Sequence, residues 1–214
     1  MNFGVESYNA AQESLRFGRA LSELGDGAER PDLAVFYDGA NGLATAVERV
    51  EVGRTDPDET YFQAVSNAER AARGTSRRTA AMTGTERAEL AVELGAAQYR
   101  RAVRLSDDLG RGAGVHTVHL WQPLLATTPR RVFEGPLLAE LHTDDTALDR
   151  VRTMYEDMRV SSRVDPVDLS DALAGATGPT FFDFEHTNER GAALIAEHVY
   201  HAIRPLLLAR MAGR

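Results

Sequence analysis

The chain has 214 residues and a mass of 23.4 kDa, with 43% hydrophobic and 7% aromatic residues, which is enough apolar material for one domain with a sizeable core. A formal net charge of −8 and a pI near 5.3 exclude a general nucleic-acid binder, which needs a basic face to displace counterions from phosphate. The absence of cysteine excludes disulfides, thiolate metal sites and cysteine nucleophiles.

Asn9 with Gln12 three residues on is a capping box, and Ala11, Leu15, Gly18 and Leu21 fall on one face of a first helix that ends near Gly25 or Gly27. Arg30-Pro31 breaks the chain. Residues 33–37, Leu-Ala-Val-Phe-Tyr, then read as a buried parallel strand emptying into the loop Asp38-Gly39-Ala40-Asn41-Gly42. Residues 43–82 show no sustained period and read as a long excursion with partial helix, either a lid or a mobile segment.

Thr83 and Glu86 form a second capping box, and Val92, Ala96, Tyr99 and Val103 mark the buried stripe of a helix running to about Leu109, stopped by the glycine-rich residues 110–114. Residues 115–121 are the second strand. Leu148, Val151, Tyr155 and Met158 mark another helix, Thr180-Phe181-Phe182 reads as the third strand, and a last helix buries Ile195, Val199, Ala202 and Leu206, with Pro205 a point of kinking. Alternating strands and helices predict an α/β fold with a parallel sheet, in which ligands bind beyond the carboxyl ends of the strands.

No apolar stretch has the length of a membrane span, and residues 1–20 lack a basic segment followed by an apolar core. The chain as written is expected to be cytoplasmic, although a longer parent with an export signal or membrane anchor stays open. His116 and His119 stand at odd spacing on a strand and face opposite ways, His142 has no evident partner, and His198 with His201 lacks a third ligand, so no metal site is expected.

One four-residue segment carries chemistry. Asp183-Phe184-Glu185-His186 places a carboxylate three residues before an imidazole; Asp183 can accept from Nδ1 and fix the tautomer whose Nε2 takes a proton. An isolated Asp-x-x-His is also compatible with a plain turn cap beside a surface histidine.

Three segments in order resemble the SGNH, or GDSL-type, ester hydrolases. Asn2-Phe3-Gly4-Val5-Glu6-Ser7-Tyr8 with Gln12 is similar to that family's second block, Tyr37-Asp38-Gly39-Ala40-Asn41-Gly42 to its third, and Asp183 to His186 followed by Thr187-Asn188-Glu189-Arg190-Gly191 to its fifth. The resemblance spans nearly the whole chain, including Leu120-Trp121-Gln122-Pro123. It implies a single domain over 1–214 with a three-layer flavodoxin-like parallel sheet covered by helices on both faces. By the same resemblance His186 is the general base, Asp183 its orienting carboxylate, and the Asn41 amide and Ser7 backbone N–H are oxyanion donors. The implied reaction is acyl transfer to serine and then water, without metal or cofactor, on a small-molecule, glycan or lipid ester.

The departures are specific. The first block, which supplies the nucleophilic serine, is missing, and none of Ser14, Ser22, Ser66, Ser76, Ser106, Ser161, Ser162 and Ser170 follows a strand into a glycine-supported turn. Ser7 stands where the family has glycine, and Gly42 where it has aspartate. The expectation is a domain lacking its amino-terminal strands, inactive as given, with a natural start upstream of Met1. Its strand at 33–37 would then have an unpaired edge open to self-association. Two other readings stay open: a noncatalytic SGNH-like binding or assembly module, and a flavodoxin-like ligand-binding domain with Asp38 as its acidic loop residue.

Overall fold

The computed structural model describes residues 8–24, 30–51, 53, 81–129 and 131–212. Three parallel strands, β1 (Leu33–Asp38), β2 (His116–Trp121) and β3 (Val167–Asp168), form one sheet in the order β1-β2-β3. Among the described residues six helices accompany them: α1 (Ala10–Glu23), α2 (Ala40–Glu51), α3 (Gly84–Ala113), α4 (Gly135–Glu140), α5 (Asp145–Ser162) and α6 (Glu189–Ala212). The chain is therefore α/β.

Both capping boxes form. Asn9 Oδ1 accepts from Gln12 N at 3.2 Å while Gln12 Oε1 accepts from Asn9 N at 2.9 Å, and Thr83 and Glu86 repeat the exchange at 3.2 and 2.6 Å. The buried face of α1 differs from the expected stripe. Ala10, Ser14 and Ala20 are buried while Leu15 is exposed, because small residues let α1 approach α3 closely enough for Ser14 Oγ to donate to Ala102 O at 2.9 Å.

Helix α3 runs past Leu109 to Ala113, and the left-handed Gly114 (φ 72°) ends it. A Cβ at Gly110 would approach the Val115 carbonyl to 2.8 Å, so that glycine serves a close helix–strand approach and does not break the helix. Helix α3 packs against α1, α2 and α5. Within α5, Leu148, Tyr155 and Met158 are buried as expected, while Val151 is exposed.

Side chains alternate across the sheet. On one face Phe36 meets Phe17 of α1 edge-on at 5.4 Å and stacks on His119 at 4.9 Å, and Trp121 packs between Tyr99 of α3 and Tyr155 of α5 at 5.0 and 4.5 Å. On the other face Leu33 and His116 line a crevice with Leu206 and Leu207 of α6. Helix α6 continues through Pro205, and only Gly191 and Ile195 of it are buried; Val199, Ala202 and Leu206 are half-buried.

The third strand is not where the apolar run placed it. Val167–Asp168 pairs with Leu120 and Trp121, whereas Phe181 forms only a single antiparallel bridge with Thr187. The Thr180 N–H donates to the Glu134 carboxylate at 2.7 Å and the Phe182 N–H to the His186 carbonyl at 2.8 Å, so the backbone of this run is tied into a turn. Of the 43–82 excursion, Leu43 to Glu51 belong to α2 and residues 52 and 54–80 lie outside the described residues. Among the described residues no helix is long and apolar enough to cross a membrane.

Candidate functional site

The turn between the Phe181 bridge and α6 is fixed at several points. Asp183 Oδ1 accepts from the backbone N–H groups of Glu185 and His186 at 2.8 and 2.7 Å, which closes the turn on its own side chain. The Phe184 carbonyl accepts from Leu125 N at 3.0 Å, tying the turn to the segment just beyond the carboxyl end of β2. Downstream, Asn188 Oδ1 caps α6 by accepting from Gly191 N at 3.1 Å, and Asn188 Nδ2 donates to Pro179 O at 3.0 Å. A Cβ on Gly191 would collide with the Thr180 carbonyl and the Thr187 side chain, so the helix start and the turn touch through that glycine.

Upstream, Thr180 is buried and both its N–H and its hydroxyl donate to Glu134 Oε1, at 2.7 and 2.9 Å. Glu134 was not among the sequence candidates. It ends the short 3₁₀ turn Arg131–Glu134, 46 residues from Thr180, and no local pattern announces the pairing.

With one oxygen holding the turn, the other oxygen of Asp183 faces the imidazole: Oδ2 lies 2.8 Å from His186 Nδ1. Both side chains are open to solvent, at 43% and 57% exposure. Partial burial works to raise the Asp183 carboxyl, but the Glu185 and His186 N–H groups and the His186 ring outweigh it and hold the group below its ordinary value. Asp183 is thus an anion at neutral pH, able to orient the ring and to stabilise a positive charge on it. The Glu185 carboxylate stands 3.9 Å from Nε2.

Asn41 sits elsewhere in its element than the loop reading had it. Gly39 takes φ 140° and α2 begins at Ala40, so Asn41 belongs to the first helical turn beyond β1. Its Nδ2 donates to the Tyr8 carbonyl at 3.0 Å and tethers the chain entering α1. Ser7, the other proposed oxyanion donor, lies outside the described residues. Asn41 follows the carboxyl end of β1, the Asp183/His186 turn is tied to the segment beyond the carboxyl end of the adjacent β2, and among the described residues no hydrogen bond joins Asn41 to that turn. No family model, curated protein or solved structure matches this chain.

Four of the candidate serines have other work. Ser14, Ser22, Ser106 and Ser162 donate to backbone carbonyls of their own helices, at 2.7, 2.7, 2.8 and 2.6 Å. Two further ionisable pairs were not legible in the sequence. Glu13 of α1 and Asp38 of β1 are close enough to share a hydrogen bond; burial pushes Glu13 up to about 7 and raises Asp38 well above its ordinary value, with the charge of Glu13 adding to the effect on Asp38. His119 Nε2 lies 3.0 Å from Asp107 Oδ1, which also accepts from Thr117 Oγ1 at 2.6 Å; burial carries the ring below its usual range, against the pull of Asp107. Since His119 also stacks on Phe36, this pair braces α3 against β2.

Among the described residues no group of three or more His, Asp or Glu is arranged to hold a metal ion. His198 Nδ1 instead lies 2.9 Å from the Leu194 carbonyl, and His201 Nε2 3.9 Å from Glu197.

Proposed function

We propose that this chain is part of a serine ester hydrolase of the SGNH type, with Asp183 and His186 as the orienting carboxylate and general base and with the nucleophile block absent. The observation that carries the reading is the 2.8 Å contact of Asp183 Oδ2 with His186 Nδ1, in a turn fixed by the second carboxylate oxygen and tied to the segment beyond β2. A carboxylate in that position selects the tautomer with the proton on Nδ1 and steadies the imidazolium formed when Nε2 accepts the proton of an attacking hydroxyl. The small parallel sheet would then be the remaining portion of a three-layer flavodoxin-like core. The substrate would be an acyl ester of a small molecule, a glycan or a lipid, and neither metal nor organic cofactor enters the chemistry.

One observation favours a noncatalytic binding or assembly module instead. The Asn41 amide, which this chemistry needs at the oxyanion, donates to the Tyr8 carbonyl.

Hydrolysis of p-nitrophenyl acetate separates the two. The chain as given should turn over the ester only at the background rate, and turnover abolished by His186→Ala would overturn the absence of a nucleophile. A chain extended by the reading frame upstream of Met1 should hydrolyse the ester, with kcat falling about 10³-fold or more in His186→Ala. Undiminished hydrolysis in that variant, or an upstream stop codon with no activity, would remove the hydrolase reading in favour of the module.

A further inference from the structure

Among the described residues, β1 has a strand on one side only. The carbonyls of Asp32 and Asp38 accept from the N–H groups of His116 and Gln122 on the β2 side. Backbone groups of a strand alternate in direction, so Ala34 and Phe36 also face β2, while the N–H and C=O groups of Leu33, Val35 and Tyr37 point the other way, where no hydrogen bond to another described residue is formed. Residues 33–37 carry no charge and no proline, and Val35 and Tyr37 are 41% and 39% exposed.

The opposite edge of the sheet is protected. Strand β3 is two residues long and ends on Asp168, which is ion-paired with Arg159 at 3.3 Å. Short length and an exposed charge are the usual devices against edge pairing; β1 is six residues long, and its one acidic residue, Asp38, is buried.

We propose that β1 pairs antiparallel with β1 of a second copy of this chain, about a twofold axis at Val35, making one continuous six-stranded sheet. The outward backbone groups support that partner. They fall on three alternate residues placed symmetrically about Val35, so a twofold axis sets Val35 opposite its counterpart and Leu33 opposite Tyr37 of the second copy. Donors and acceptors then match throughout, giving about six hydrogen bonds.

Leu33, Val35 and Tyr37 also share one face of the sheet, so the same pairing covers the exposed apolar side chains of both copies. Beside Leu33 a crevice of about 280 Å³, walled by Leu206 and Leu207, adjoins the place that Tyr37 of the second copy would take. At the ends of the ladder Asp32 meets Asp38 of the second copy. Asp32 is ion-paired with Arg210 at 3.6 Å, and the Asp38 side chain is buried on the other face of the sheet, away from the apolar ladder.

Sedimentation of the full chain over a range of concentrations should show a monomer–dimer equilibrium. Val35→Lys, at an exposed position that the single copy tolerates, should weaken the dimer at least about ten-fold by opposing two ammonium groups, with an unchanged far-UV circular dichroism spectrum. The chain has no cysteine, so Val35→Cys gives a single thiol per copy. Opposed Cα atoms in such a ladder lie about 5.5 Å apart, within disulfide reach, and mild oxidation should link Val35→Cys into a covalent dimer. Val160→Cys, on the exposed side of α5, should stay unlinked.

A chain that is monomeric at every concentration, one that grows into open-ended aggregates, or a dimer unaffected by Val35→Lys and linked no faster at residue 35 than at residue 160, would each overturn the proposal.

Discussion

Glu13 and Asp38 are two carboxyl groups buried against each other between α1 and β1, where a second negative charge is opposed both by burial and by the first. Burial raises both, Glu13 to about 7 from an ordinary 4.5 against the pull of its hydrogen bond with Asp38, and Glu13 raises Asp38 further. A group whose folded pKa lies above its unfolded value binds its proton more tightly in the native state. The stability it lends is complete below pH 4.5, is lost as the pH rises toward 7, and changes little beyond. Glu13→Gln keeps the shape and a hydrogen-bonding partner for Asp38 but has no proton to lose. The variant should melt above the wild type at pH 8, by an increment of the order of 2 kcal/mol, and the gap should close by pH 5. Thermal unfolding at pH 5, 6, 7 and 8 tests this; parallel curves for the two proteins would show that the pair does not titrate in this range. The sequence hides this pair because its members are 25 residues apart on different elements, and Asp38 reads there as a loop residue. The Asp183/His186 pair was legible for the opposite reason, since both members and the N–H groups that fix them lie within one turn.

At the scale of elements, the features readable from sequence were those decided locally. Both capping boxes form with the residues predicted, and β1 and β2 match their apolar runs to within a residue. The third strand was missed because two residues cannot show a period, and because the stronger run at Thr180-Phe181-Phe182 is held by Glu134, a partner 46 positions away. Gly39 shows how an element junction depends on such distant contacts. It turns the chain from β1 into α2 at φ 140°, and a Cβ there would overlap the Tyr155 hydroxyl, which donates to the Gln122 carbonyl at 2.9 Å. Gly39→Ala meets both a disfavoured backbone and a side chain buried too tightly to move aside. It should destabilise by about 2–4 kcal/mol in urea unfolding. Gly112→Ala, in an open helical position of α3, should be neutral or slightly stabilising, since nothing lies within 4 Å of the new methyl. Equal losses at the two sites would mean that the Gly39–Tyr155 contact does not constrain the junction.

For the molecule as a whole, α3 is the organising element: it packs on α1, α2 and α5 and supplies Tyr99 to the ring cluster on the sheet, whereas α6 buries little of its length. Trp121, the only tryptophan, is wholly buried in that cluster, so its emission reports the state of the core. The main apolar cluster draws on α1, α2, α3, α5 and β2 together, with Ile195 as the sole fully buried side chain of α6 within it. Loss of any one of the first five would strip packing from all the others, which is the condition for all-or-none unfolding. In guanidinium chloride, the red shift of Trp121 and the loss of helical circular dichroism should therefore share one midpoint. The carboxyl-terminal turns of α6 carry exposed Leu207, Leu208 and Met211 and should exchange their amide protons well before that transition, by local opening. A tryptophan midpoint clearly above the helical one would instead place the helices around α3 in a separate unit, and would remove the inference that this sheet and its ring cluster hold the fold together.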